Sequence, residues 1–367
     1  MVLVAPSFAA SIFLVGLVLL RVLPQRGGRR DALVLCVVTT LAILGGLVGG
    51  VVFGSGFAVL RLWFDATYYG LAPLGLVVAV AAWRERRTGT AIALGLASLS
   101  VLAVATYATR VEPQRLQVNR HAVQSDRLPA RQAEPLVVAI LADLQTDRIG
   151  SYEQRVFEEL DALEADLWLL PGDYLQCRTP ERTERARAEL AALFDGVRNV
   201  PRLGIWAVDG DVDQARESLT SERVQFLDDA SARFEEEGVQ IVGLTTPSSR
   251  RSLTKSVVSE IDAFEGLTIV FGHAPDYMIG AIEGRLGREA VLVAGHTHGG
   301  QVVVPGFGPP LTLTRAPRWL AAGGIHRGGE VTLCVSRGVG LERSYAPRVR
   351  LFCPPEIVVL ELFGPLR

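Results

Sequence analysis

The chain has 367 residues, 49% of them hydrophobic, and a mean hydropathy of +0.29. That is too apolar for an ordinary soluble enzyme, yet the C-terminal part has ordinary globular composition, so two regions are expected. A net charge of -2, from 37 Lys and Arg against 39 Asp and Glu, argues against a nucleic-acid binder.

In chain order, residues 2–23, 32–60, 68–83 and 90–108 are apolar stretches, the third extendable back to residue 62 across Asp65. Crossing a bilayer core of roughly 30 Å takes about 20 helical residues, so residues 1–110 are expected to form a four-helix transmembrane region. The first stretch lacks the basic start of a cleavable signal peptide, and three further spans follow it. Arg26, Arg29 and Arg30 sit in the first loop and Arg84, Arg86 and Arg87 in the third, whereas the second holds only Arg61 against Asp65. By the positive-inside rule the first and third loops are cytoplasmic, which places both termini outside.

Residues 111–134 are polar, carry Arg115, Arg120, Arg127 and Arg131, and contain Pro113 and Pro129. They are expected as a juxtamembrane linker or a short surface strand, with His121 exposed. From residue 135 to 367 apolar runs alternate with helical patterns. Helices are expected over 152–165, 184–197 and 221–237, and parallel strands over 136–141, 167–170, 205–208 and 267–271. After Gln301 the helical patterns stop; 301–304, 331–336, 349–352 and 357–362 are expected as strands of a second, partly antiparallel sheet.

Each buried run ends in polar ligand types. Residues 136–141 lead to Asp143 and Gln145, 167–170 to Gly172 and Asp173, 205–208 to Gly210, Asp211, Val212 and Asp213, and 267–271 to Gly272 and His273. The stretch VLVAGHTHGGQ, residues 291–301, ends in Gly295, His296, Thr297 and His298. A rigid strand that stops at glycine and presents two imidazoles is what a metal site needs, because glycine lets the backbone crowd the ions. His326 lies in a Gly-rich, turn-like run and is not expected to be a ligand. Cys36, Cys177, Cys334 and Cys353 form no C-x-x-C pair, so neither a zinc knuckle nor a disulfide framework is indicated. Pairing of Cys334 with Cys353 is left open.

These five segments resemble the calcineurin-like metallophosphoesterases, whose pattern runs D-x-H, G-D, G-N-H-[DE], a lone His and G-H-x-H. Ser336 to Gly340 and Cys353 to Ile357 look like the membrane-attached branch of that family. The resemblance covers roughly residues 135–362. It implies an α/β metallophosphatase domain of two packed mixed sheets flanked by helices, and a centre of two divalent metal ions. It also implies that Asp173 bridges the ions; that one is held by Asp143, Asp173 and His298, with Gln145 at the position of a family His; and that the other is held by Asp173, Asp211, His273 and His296. Two ions about 3.5 to 4 Å apart would clamp the phosphoryl oxygens and acidify a shared water.

Two motifs depart from the pattern. Gln145 replaces an imidazole and Asp211 an amide, so the ligand set is more oxygen-rich and favours Mn or Mg over Fe or Zn. Val212 stands where the family has a His that assists the leaving group, a loss that typically costs about 10²- to 10⁴-fold for poor leaving groups. Asp209, Asp213 or Arg148 could substitute in part. Asp173, Asp211 and Asp213 are therefore the candidate catalytic residues.

The resulting expectation is an integral protein of a bacterial-type cell membrane with an extracytoplasmic catalytic domain. It would hydrolyse a phosphoester or pyrophosphate of a phosphorylated small molecule or lipid, with no nucleic-acid partner. The alternative is a degraded module that binds metal or a phosphorylated ligand without turnover. A transporter ranks last, because the spans carry almost no charge besides Asp65.

Overall fold

The computed structural model describes residues 4–23, 28–130, 134–212, 215–284 and 286–365. The chain divides into two compact units, Met1–Val111 with Glu342–Arg348, and Glu112–Leu341 with Val349–Arg367.

The first unit contains α1 (Val4–Val22), α2 (Gly28–Phe53), α3 (Gly56–Asp65), α4 (Ala72–Arg84) and α5 (Thr88–Thr106). A π-helical segment, Ala66–Leu71, joins α3 to α4 without a break. Four helical spans, Ala5–Val22, Gly28–Phe53, Gly56–Arg84 and Thr88–Gln114, are therefore long and apolar enough to cross a membrane. The third span takes in Asp65, as the extension of the third stretch to residue 62 allowed, and also Arg61, which was expected in the second loop. Asp65 is buried and takes a hydrogen bond of 2.8 Å from Arg61 Nε one helical turn earlier, which meets the cost of a charge among apolar helices. At one end of the unit, Arg30 bonds Asp31 at 3.1 Å, Arg87 bonds Glu85 at 3.0 Å, and Arg87 also reaches Asp31. Arg30 and Arg87, one from each arginine cluster, thus lie at the same end of this unit.

The second unit is an α/β domain. Its elements are β1 (Gln117–Gln124), β2 (Leu136–Ile140), α6 (Ser151–Ala162), β3 (Leu167–Leu170), α7 (Pro180–Asp195), β4 (Ile205–Ala207), α8 (Ala215–Ser218), β5 (Val224–Phe226), β6 (Ala230–Phe234) and β7 (Val239–Gly243). Then follow α9 (Thr246–Ser249), α10 (Lys255–Ala263), β8 (Leu267–Gly272), α11 (Met278–Ile282), β9 (Ala290–Ala294), α12 (Arg318–Ala321), β10 (Gly324–Gly328), β11 (Val331–Val335) and β12 (Glu356–Phe363). The strands form two six-stranded mixed sheets, ordered β1-β12-β2-β3-β4-β5 and β10-β11-β9-β8-β7-β6. In the first only the β12–β2 pair is antiparallel; in the second, the two outermost pairs are.

Period-two burial explains how the sheets stack. Val138, Ile140, Leu167 and Leu169 face the same core as Ile241, Ile269, Phe271, Val291 and Val293 of the other sheet. The alternate residues Ala139, Trp168 and Leu170 pack outward against α6 and α7, where Val156, Leu160, Ala186, Leu190 and Phe194 recur at helical spacing. Thr179 caps α7 by accepting from Arg182 N, with Pro180 in the first turn. The far face of the second sheet is covered by α10, α11 and α12. All six central strands β2, β3, β4, β7, β8 and β9 run parallel within their sheets.

Several expected elements differ. The helix expected over 221–237 is instead β5, a turn with Asp229 at φ 51° and β6. The apolar residues there satisfy both periods, and Ala232 and Phe234, two apart, both pack on the inter-sheet core. Residues 301–304 and 349–352 form single bridges, Val302 with Leu351 and Val304 with Gly308, because Gly and Pro around 305–310 deny them a longer ladder. The second sheet starts at β6, well before Gln301. The last strand, β12, returns to the first sheet between β1 and β2. His326 lies on β10, its ring 4.9 Å from that of Trp319.

Candidate metal centre

The ligand types sit just past the carboxyl ends of β2, β3, β4, β8 and β9, where both sheets end side by side. The loops are tied by their backbones: Asp143 N donates to Gly172 O at 3.2 Å, Gln145 N to Asp173 O at 2.9 Å, and Gly295 N to His273 O at 3.0 Å. Approach is close enough to require glycine at two positions. A Cβ on Gly172, whose φ is +98°, would lie 2.8 Å from His273 Nδ1, and one on Gly210 would lie 2.0 Å from Asp173 Oδ1. Asp143, Gln145, Asp173, His296 and His298 all hold φ between 36° and 69°. For residues with a Cβ this left-handed region costs of the order of 1 to 3 kcal/mol each, and such residues cluster at functional sites.

Two groups of side chains converge. Asp211, His273 and His296 present ligand atoms all within 4.8 Å of one another, and so do Asp143, Asp173 and His273. His273 Nε2 lies 3.4 Å from Asp173 Oδ2 and 3.5 Å from Asp211 Oδ1. His296 Nδ1 lies 3.3 Å from Asp211 Oδ2 and 3.1 Å from His273 Nε2. Both Asp143 oxygens accept from His296 N, at 2.9 and 3.0 Å. Asp173 Oδ1 accepts from the backbone of Asp211 (2.7 Å) and Val212 (3.2 Å), which leaves Oδ2 for the cluster.

The outer hydrogen bonds set the tautomers. His273 Nδ1 faces Pro171 O at 3.0 Å, and His296 Nε2 faces Leu313 O at 3.1 Å. Each carbonyl holds a proton on that nitrogen, so the unprotonated nitrogens, His273 Nε2 and His296 Nδ1, point at each other and at carboxylates. Two lone pairs 3.1 Å apart repel unless a proton or cation lies between them. His298 adds a second such signal: it is 4% exposed, and neither ring nitrogen has a hydrogen-bond partner among the described residues. Buried polar atoms in that state cost free energy unless a ligand satisfies them. The residues therefore fit divalent cations.

Without a cation the charges redistribute. Burial opposes charge on His273, but the Asp173, Asp211 and Asp143 carboxylates outweigh it and raise its pKa to about 10. Burial and the charge on His273 lower His296 to about 4, and burial holds His298 well below the usual imidazole range. Burial raises Asp143 to about 6 despite His273 nearby. Asp211 is driven the other way: burial is outweighed by His273, His296 and Arg250, so its carboxyl lies well below the usual range.

Of the residues predicted from sequence, Asp143, Asp173, Asp211, His273 and His296 come together. His298 belongs to neither tight group. Gln145 is buried beside Asp173 and donates from Nε2 to Gln176 at 3.2 Å. Asp213 lies outside the described residues. Sequence reasoning missed Arg250, which pairs with Asp211, and Arg350, whose buried guanidinium braces the loop behind Asp143. Neither carries a motif signal, since each is an arginine in an arginine-rich loop.

No family model matches the chain. Over 72 residues it is 40% identical to the phosphodiesterase YaeI of Escherichia coli (strain K12), a match covering 20% of this chain and 24% of that protein. The matched part is thus about a quarter of that relative's length. Among solved structures, the sulfate thiohydrolase SoxB of Thermus thermophilus in complex with glycerol aligns at a TM-score of 0.36 and 14% identity, over 64% of this chain and 58% of that one.

Proposed function

We propose that the chain is a membrane-anchored, metal-dependent phosphohydrolase of the calcineurin-like type, cleaving a phosphoester or pyrophosphate bond. The observation that carries this reading is the meeting of His273 Nε2, His296 Nδ1 and three carboxylates at the ends of strands from two sheets. The partial similarity to a phosphodiesterase supports the same class.

Asp173 would be the carboxylate shared between two cations, a role supported by its Oδ1 being held by two backbone N–H groups while Oδ2 lies 3.4 Å from His273 Nε2, the one side chain common to both groups. Asp143 and His298, with the Gln145 amide beside them, would hold one ion; Asp211, His273 and His296 would hold the other. Two cations held there, with Mn or Mg favoured by the oxygen-rich ligand set, would supply a nucleophile at neutral pH and neutralise phosphoryl charge. The chain's own contribution is orientation. Pro171 O and Leu313 O fix the ring tautomers, and the left-handed backbones of Asp143, Asp173, His296 and His298 aim their side chains inward. Val212 has no proton to give, so the leaving group must depart unassisted at that position.

The anchor, with the arginine-bearing loops on the cytoplasmic side, would leave the domain extracytoplasmic and near the bilayer, which favours a phosphorylated lipid among possible substrates. The test is hydrolysis of bis-p-nitrophenyl phosphate by the full chain in detergent with Mn, Mg, Zn or no metal, beside Asp173→Ala. Metal-dependent turnover abolished in the variant supports the reading. Metal uptake without turnover of any phosphate ester would favour the non-catalytic module that Val212 suggests.

A further inference from the structure

The four-residue turn α9 is stitched to two of the site loops. Thr246 Oγ1 donates to the carbonyl oxygens of Asp209 (3.0 Å) and Gly210 (2.9 Å), and Ser249 Oγ accepts from Ala274 N (3.2 Å), next to His273. On the other side, Asp229 accepts from Thr245 N, Thr245 Oγ1 and Ser248 Oγ at 2.8 to 3.0 Å. The residue that ends this fixed turn is Arg250. Its guanidinium pairs with Asp211 Oδ2, the same oxygen that lies 3.3 Å from His296 Nδ1, while its side chain is 48% exposed. One side of the guanidinium thus rests on the cluster and the other faces solvent at the mouth of the site.

An arginine there differs in kind from a histidine. It is always charged, so it binds phosphoryl oxygens through a planar fork of donors but cannot deliver a proton. Val212, two residues past Gly210, cannot deliver one either. We propose that Arg250 is the anchor for the substrate's phosphoryl group, and that, with neither Arg250 nor Val212 able to donate a proton, the site favours substrates whose leaving group departs readily as an anion, namely pyrophosphates and aryl phosphodiesters. This rests on the phosphohydrolase reading. In the hydrolysis a P–O bond forms to water oxygen and the P–O bond to the leaving group breaks. The leaving group carries away the electron pair, and the proton released from water passes to solvent.

The experiment uses the full chain in detergent, loaded with Mn, with metal content measured for every sample. Inorganic phosphate binding is followed by calorimetry for the wild type, Arg250→Lys, Arg250→Ala and Arg250→Gln. A series of aryl phosphodiesters of rising leaving-group pKa gives kcat and KM for the same proteins. Loss of a charge-assisted bond predicts phosphate binding weakened roughly 10- to 100-fold in Arg250→Ala and Arg250→Gln, less in Arg250→Lys. In the wild type kcat falls steeply as the leaving group becomes more basic. Phosphate affinity within twofold of wild type in a metal-replete Ala or Gln variant overturns the assignment, and so does a flat leaving-group dependence. Loss of metal from both variants makes Arg250 part of the metal site and overturns it as a phosphoryl anchor. A wild type that takes up Mn and binds phosphate but turns over no ester refutes the hydrolase reading while leaving the anchor in place.

Discussion

Replacing Arg350 by methionine should unfold the loop behind Asp143 before it harms anything else. Arg350 is fully buried, and its guanidinium donates to four backbone carbonyls: Gly340 O from Nε (3.1 Å) and Nη2 (2.7 Å), Arg337 O (2.8 Å) and Gly338 O (3.1 Å) from Nη2, and Cys353 O from Nη1 (3.1 Å). The loop it holds is the one whose Val339 N and Gly340 N donate to Ala142 O (3.1 Å) and Asp143 O (2.8 Å). Methionine fills much of the volume but takes the donors from Gly340 O, Arg337 O and Cys353 O, whereas Gly338 O still accepts from Glu356 N (3.1 Å), at about 1 to 3 kcal/mol for each orphaned group. Relief from burying a charge offsets part of that, for a net loss of about 3 to 5 kcal/mol, the usual figure for breaking a buried charged network. In a domain of this size each kcal/mol moves Tm by roughly 2 to 4 °C, so a drop of about 6 to 20 °C is expected by scanning fluorimetry of the full chain. Metal uptake should weaken in parallel, because Asp143 loses the loop that fixes its strained backbone. A variant with unchanged Tm and unchanged metal uptake would refute this reasoning.

Other expectations follow from the same contacts. Gly210→Ala places a Cβ 2.0 Å from Asp173 Oδ1 and 2.3 Å from Asp173 N, so metal uptake should fall at least tenfold, about 1.4 kcal/mol, whereas Gly287→Ala, with open space around it, should leave uptake unchanged. His298→Ala removes two unpartnered buried nitrogens, so the metal-free protein should be no less stable while metal affinity falls; lower stability without metal would count against a ligand role. Glu356 is buried, which opposes its charge, but Arg337 and Asn119 hold its carboxyl below the usual range. Its depressed value means it stabilises the fold above the unfolded carboxyl pKa, and this contribution fades as pH falls through the lower folded value. The urea-midpoint gap between wild type and Glu356→Gln should therefore be widest near pH 7 and narrow below about pH 4. A gap that widens on acidification would contradict the sign.

Much of this architecture was legible because buried strands and long apolar helices announce themselves by run length and period. Residues 136–141, 167–170, 205–208, 267–271 and 291–294 read as strands and fold as strands, and the ligand types that follow them meet in space. Residues 221–237 misled because Val224, Leu227 and Phe234 satisfy a helical spacing, while the turn at Asp229 that makes them two strands depends on backbone geometry. The return of β12 to the first sheet was invisible for a different reason: a strand's partner is set by long-range register. Arg250 and Arg350 could not be singled out, since what distinguishes them is the carboxylate or the carbonyls they meet, 39 residues away in the first case and 3 to 13 in the second.

The most direct test of a two-metal centre is the metal stoichiometry of the full chain by elemental analysis after dialysis against Mn, measured beside Asp173→Ala. Two ions per wild-type chain and a clear loss in the variant are expected if Asp173 is the carboxylate shared between them. No uptake by the wild type, or uptake that Asp173→Ala leaves untouched, would contradict it.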